Sequence, residues 1–115
     1  MAQFKDMVAE LRRTAILRIL FNAPAKTCNS DILKMVLNER GIVTSSEDLN
    51  SDIDFLFENR CIEHKYNSDA WELKIVALTE KGEDVALDRQ TVPGVRRPRR
   101  GDNLPPISDA ERGVL

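Results

Sequence analysis

The apolar residues of this chain change rhythm near Cys61, and that change bounds the fold more tightly than any other feature of the sequence. Before Cys61 they recur every three or four positions, the spacing that lines one side of a helix. Phe4, Val8, Leu11, Ala15 and Ile19 mark a first helix from residue 2 to about residue 22. Pro24 ends it, because the residue before a proline is pushed out of the helical region. From Ala15 to Phe21 the helix is apolar nearly all round, with only Arg18 interrupting, so it belongs at the centre of a core. Ile32, Leu33, Val36 and Leu37 form the inner face of a second helix, capped by Asn29 and ended by Gly41. Leu49, Ile53, Leu56 and Phe57 do the same for a third, which starts either at a Thr44–Glu47 capping box or one residue later at Ser45 with Asp48. After Cys61 the pattern becomes a ribbon. "CIEHKY" and "WELKIVAL" are rich in β-formers, and "NSDA" between them has turn chemistry. "LTEKGEDVALDR" returns to a short helix with Thr79 as its cap.

Three helices, a two-stranded hairpin and a closing helix predict a mainly α winged helix-turn-helix: a three-helix core, a wing, a C-terminal helix and an extended tail. The expected domain runs over residues 1–89. Beyond it, residues 90–115 carry four of the five prolines and three of the five glycines, too little apolar surface to fold alone. That tail is expected to be disordered or laid on a neighbour. No apolar run reaches the roughly 20 residues of a membrane span, and charges occupy the N-terminus where a signal peptide keeps its apolar stretch. The expected location is therefore the cytoplasm.

"LTEKG" resembles the strand-to-helix junction of many winged-helix regulators. The longer run "LTEKGEDVALDRQTVPGVRRPRR", with "RRTAILRIL" and "SDIDFLFENRCI", resembles a family of small winged-helix proteins of Mu-like bacteriophages and prophages, related to the ArsR regulators. The resemblance implies a phage origin and a winged-helix fold. The metal-sensing chemistry of ArsR proteins does not carry over. Cys61 and His64 are the only close pair of ligand types, and three apart on a strand they face opposite ways. Cys28 and Cys61 are expected as two reduced, partly buried thiols, and no cofactor is expected.

Charge complicates a DNA-binding reading. Through Leu87 there are 11 basic against 15 acidic side chains, a balance of −4; from Asp88 onward there are 6 against 4, a balance of +2. The third helix holds Glu47, Asp48, Asp52, Asp54 and Glu58 and no cation. Carboxylates in its first turn suit the positive helix end, at about 0.3–1 kcal/mol each. They do not suit a phosphate backbone, whose attraction to cations supplies most non-specific affinity. The expected DNA contacts are therefore Asn50 and Ser51 for the groove, Lys65 and Lys74 on the wing, and Arg96, Arg97, Arg99 and Arg100 as a flexible basic arm. Phe4, Met7, Val8 and Leu11 overhang the first helix and are expected to pair two copies as a homodimer.

One histidine, no Gly-rich phosphate loop and no nucleophile beside a base argue against an enzyme. The expected function is that of a DNA-binding regulator or DNA-associated accessory factor, binding duplex DNA weakly to moderately. The alternative is a non-catalytic adaptor that uses the acidic third helix to hold a phage or host protein, beside the DNA-packaging machinery or elsewhere.

Overall fold

The computed structural model describes residues 3–66, 74–99 and 104–105. The expected turn at residues 67–70, Trp71 and Arg100 lie outside them. Four helices and a small antiparallel sheet follow one another: α1 (Phe4–Asn22), a 3-10 turn (Pro24–Lys26), β1 (Thr27–Asn29), α2 (Ser30–Glu39), α3 (Ser46–Glu58), β2 (Ile62–Tyr66), β3 (Ile75–Leu78) and α4 (Glu80–Ala86).

The expected two-stranded ribbon is part of a three-stranded sheet of order β1-β3-β2. β1 pairs with β3 at Thr27–Ala77, Cys28–Val76 and Asn29–Ile75. Three residues directly after a proline turn are too short to show an alternating pattern, which is why only the pairing reveals this strand. It runs straight into α2: Asn29 accepts from the Ile32 N–H at 2.8 Å as the helix cap, and the Ser30 N–H donates to the Lys74 carbonyl.

Side chains fix the other junctions. Asn38 pins the turn between α2 and α3, accepting from the Thr44 N–H at 3.0 Å and donating to the Thr44 carbonyl at 3.2 Å. Of the two caps open to α3, Ser45 is the one used, accepting from Asp48 at 3.1 Å, while the Thr44 hydroxyl donates to the Ile42 carbonyl. Thr79 caps α4 by accepting from Gly82, and its hydroxyl donates to the Arg60 carbonyl at the end of α3. Gly82 follows from the same junction. A Cβ there would lie 2.0 Å from the Cys61 carbonyl oxygen, so only glycine lets α4 sit against the backbone at Cys61, just before β2. "LTEKG" thus works as a splice that ties α3, the sheet and α4 together.

The core is built on the second half of α1, where Ala15, Ile16, Leu17 and Leu20 are fully buried, with Leu33, Leu37, Ile53, Leu56 and Val76 around them. Val85 and Ala86 of α4 join it, as do Val92, Val95 and Leu104, so the packed unit continues past residue 89. Two expected core residues stand at its edge: Ile32 is 43% exposed and Phe57 is 46% exposed. Ile32 lines a surface groove, and Phe57 packs its ring on His64 at 4.6 Å between centroids. Among the described residues, no helix is long and apolar enough to cross a membrane, and no group of three or more His, Cys, Asp and Glu could hold a metal ion.

One carboxylate of the acidic helix is inside. Asp52 is 1% exposed and receives hydrogen bonds from Arg12, itself buried, and from Arg13 at 2.9 Å. Asp52 lies on the stripe of Leu49, Ile53 and Leu56, so helical periodicity alone carries it into the core. Both of its oxygens are used, one by each arginine. Breaking a buried ion pair strands the remaining charges, at a cost of about 3–5 kcal/mol. Asp52→Ala should therefore lower stability by about that amount, read as a shift of the urea midpoint without a change of slope. Asp54→Ala on the exposed face should cost less than about 1 kcal/mol. Similar losses at the two positions would mean that Asp52 is not the buried partner of both arginines.

Candidate functional site: the outer face of the third helix and the arginine segment

α3 divides its side chains between two environments. Leu49, Asp52, Ile53 and Leu56 face the core. Ser46, Glu47, Asp48, Asn50, Ser51, Asp54, Phe57 and Glu58 are exposed. The outer face therefore presents four carboxylates, three small polar residues and one aromatic ring. Near the end of this helix, exposed His64 of β2 lies against Phe57. Lys34 of α2 reaches the Ser46 hydroxyl at 3.0 Å.

The expected DNA-contact residues fall into two groups. Asn50 and Ser51 are exposed on α3, and Lys65 is exposed on β2. Lys74, just before β3, is half-buried and sits 3.5 Å from Asp54, so its charge is directed onto the acidic face. The second group lies along α1. The Arg96 N–H donates to the Glu10 carbonyl at 3.2 Å, and its carbonyl accepts from the Thr14 hydroxyl. Arg97 makes a two-point contact with Asp88, at 3.1 and 3.3 Å. That carboxylate holds the Arg97 guanidinium above its ordinary pKa. Arg96, Arg97, Pro98 and Arg99 line a polar depression of about 400 Å³ together with Glu10 and Asp88. The segment expected to be a free basic arm is, as far as Arg99, laid along the protein's own surface.

The overhang at the start of α1 is open. Phe4 is 81% exposed and Met7 51% exposed, while Val8 and Leu11 are half-buried, Leu11 against the core. The apolar groove lined by Ile19, Pro24, Cys28, Ile32, Ile75 and Pro105 has a volume of about 480 Å³.

Sequence reasoning missed the Asp52 cluster, which sets the orientation of the whole site. The signal was present: a carboxylate on the apolar stripe of one helix, and two consecutive arginines, Arg12 and Arg13, at the edge of the all-apolar half of another.

The chain is 34% identical over 94 residues to a protein of Escherichia phage Mu, gp26, described as uncharacterized; the match spans 82% of this chain and 94% of that protein. The chain belongs to the phage Mu gp26 family. The expected Mu-like origin rests on this match. No family model and no solved structure matches the chain.

The two thiols give a measurement of local packing. Burial pushes the pKa of Cys28 and of Cys61 up from the ordinary thiol range, opposed by a backbone hydrogen bond at Cys28 and by nearby Lys81 at Cys61. A thiol pKa raised by folding contributes stability below the unfolded value of about 8.5. That contribution is lost as pH rises through the folded value. Unfolding temperature should therefore fall as pH is raised above about 8.5. At pH 8 a thiol reagent should label half-buried Cys28 slowly and fully buried Cys61 only on unfolding. Equal native-state labelling of both would contradict the described packing.

Proposed function

We propose that this gp26-family chain is a winged-helix module that uses α3 to dock a basic polypeptide surface. Helices α2 and α3 joined by a pinned turn, followed by a hairpin, are the order a winged helix requires. β1 adds an edge strand to that hairpin and leaves the order unchanged. The ArsR-like regulator type, by contrast, needs a third helix that tolerates phosphate.

One observation carries the docking reading. The outward face of α3 presents Glu47, Asp48, Asp54 and Glu58 without a cation of its own, and wing residue Lys74 is drawn onto Asp54. A duplex brought to this face would meet carboxylates where counterion release needs lysines and arginines. A basic protein surface meets complementary charge, which speeds encounter and fixes register. Exposed Phe57 beside His64 offers the aromatic anchor that interface centres favour. A homodimer through Phe4 and Met7, with Val8 and Leu11 behind them, would use residues that do not belong to the acidic face.

The second reading, a DNA-associated factor or regulator, draws on exposed Asn50 and Ser51 and on Lys65. The contrast is tested by Asp54→Lys with Glu58→Lys. The wild type should capture an immobilised arginine-rich peptide at 50 mM salt and leave long duplex DNA unretarded. The double variant should lose peptide capture by at least tenfold and gain DNA retardation. Retardation of DNA by the wild type that disappears when residues 96–100 are deleted, with peptide capture indifferent to the substitutions, would replace the docking reading with the DNA one.

A further inference from the structure

We propose that residues 92–97 form a strap that sets the pose of α3 through Arg13, coupling the arginine segment to the acidic face whatever that face binds. Arg13 is the junction. Its Nε donates to Asp52 Oδ1 of α3 at 2.9 Å, and the same guanidinium donates through a terminal nitrogen to the Gly94 carbonyl of the strap at 2.9 Å. The guanidinium carbon also lies 3.9 Å from the centroid of the Phe55 ring on α3. One planar group therefore holds a carboxylate, a carbonyl and an aromatic face in fixed mutual positions, which the branched, rigid donor set of arginine permits and a lysine ammonium does not.

The strap meets α3 directly as well. Gly94 has φ +91°, and a Cβ at this position would lie 2.5 Å from Phe55 Cζ. Val92 and Val95 on either side are buried in the core. Arg96 closes the seat through its backbone, bonded to Glu10 and Thr14, the residues flanking Arg12 and Arg13 on α1. Contact thus runs from the strap through one turn of α1, Glu10 to Thr14, to the inner face of α3.

The consequence is a two-way device. α3 is one rigid helix, so a change at Asp52 and Phe55 repositions Asp54, Phe57 and Glu58 on its outer side. The strap also carries Arg96 and Arg97 and leads into Arg99, so an anionic partner on these arginines that lifts the Arg96 backbone from Glu10 and Thr14 pulls on the element that holds α3. By linkage, a partner seated on α3 alters the affinity of the arginine segment by the same factor.

The test uses the full-length chain and compares amide hydrogen exchange in α3 with that in α2. Gly94→Ala places a methyl group against the Phe55 ring. Arg13→Lys keeps a cation for Asp52 but removes the fork to Gly94. In both, exchange in α3 should accelerate at least about tenfold more than in α2, the signature of local opening. The imidazole resonances of His64, the one histidine of the chain, should shift along with it. Arg97→Ala, which removes the Asp88 contact and leaves the strap's backbone seat, should leave the ratio unchanged. Should Gly94→Ala fail to fold, Arg13→Lys decides alone. Equal acceleration in α2 and α3, or an α3 that exchanges as in the wild type, overturns the strap.

Discussion

Everything distinctive in this small protein is arranged around a single buried carboxylate. Asp52 sits on the inner stripe of α3 and is satisfied by Arg12 and Arg13 from α1. A cluster of this kind is a weak source of net stability, because desolvating the charges offsets most of their attraction. Its value here is directional. The apolar stripe of Leu49, Ile53 and Leu56 turns this side of α3 inward, and the two arginines on α1 lock that rotation with directed hydrogen bonds. That rotation decides which side chains of α3 reach solvent, and so it produces the acidic outer face.

The same contact resolves the apparent paradox of an acidic third helix. Of its five carboxylates, one is structural, two lie in the first turn where the helix end favours them, and Asp54 is met by Lys74 from just before β3. Glu58, at the C-terminal end, is the one that neither the helix dipole nor an observed ion pair accounts for, and it adjoins exposed Phe57. A surface of this composition suits a cationic polypeptide better than a polyanion. The arginine-rich segment is likewise engaged at home: its backbone is bonded to α1 and Arg97 is held by Asp88. The arginine segment and the acidic helix meet at Arg13 and where Gly94 lies against Phe55.

The helices were legible because their apolar spacing is regular, and β2 and β3 because they are rich in β-formers. Pro24, Asn29 and Thr79 act as punctuation as the sequence suggests, and the "LTEKG" junction acquires a reason in the close approach of Gly82 to Cys61. β1 was not legible, because three residues carry no period and a strand of that length exists only through its partner. Ile32 and Phe57 were assigned inward by spacing, yet a groove and a histidine ring take them to the edge; a stripe at the rim of a helix's buried arc is divided by its neighbours, not by its own period. Helical spacing keeps Asp52 off the outward face, but no sequence pattern names Arg12 and Arg13, some 40 positions earlier, as its partners. The seat of Val92 and Val95 was hidden for a different reason: proline, glycine and arginine in this segment resemble a solvated tail, and two valines suffice to bury it against α1.

The most direct test of the central claim is a double-mutant cycle between Asp52→Asn and Arg13→Gln, with stability measured by urea unfolding. Groups joined in one buried network should show a coupling energy of about 1–3 kcal/mol, the double variant losing less than the sum of the singles. Additivity to within about 0.5 kcal/mol would mean that the two side chains act independently, and that the pose of α3 has some other origin.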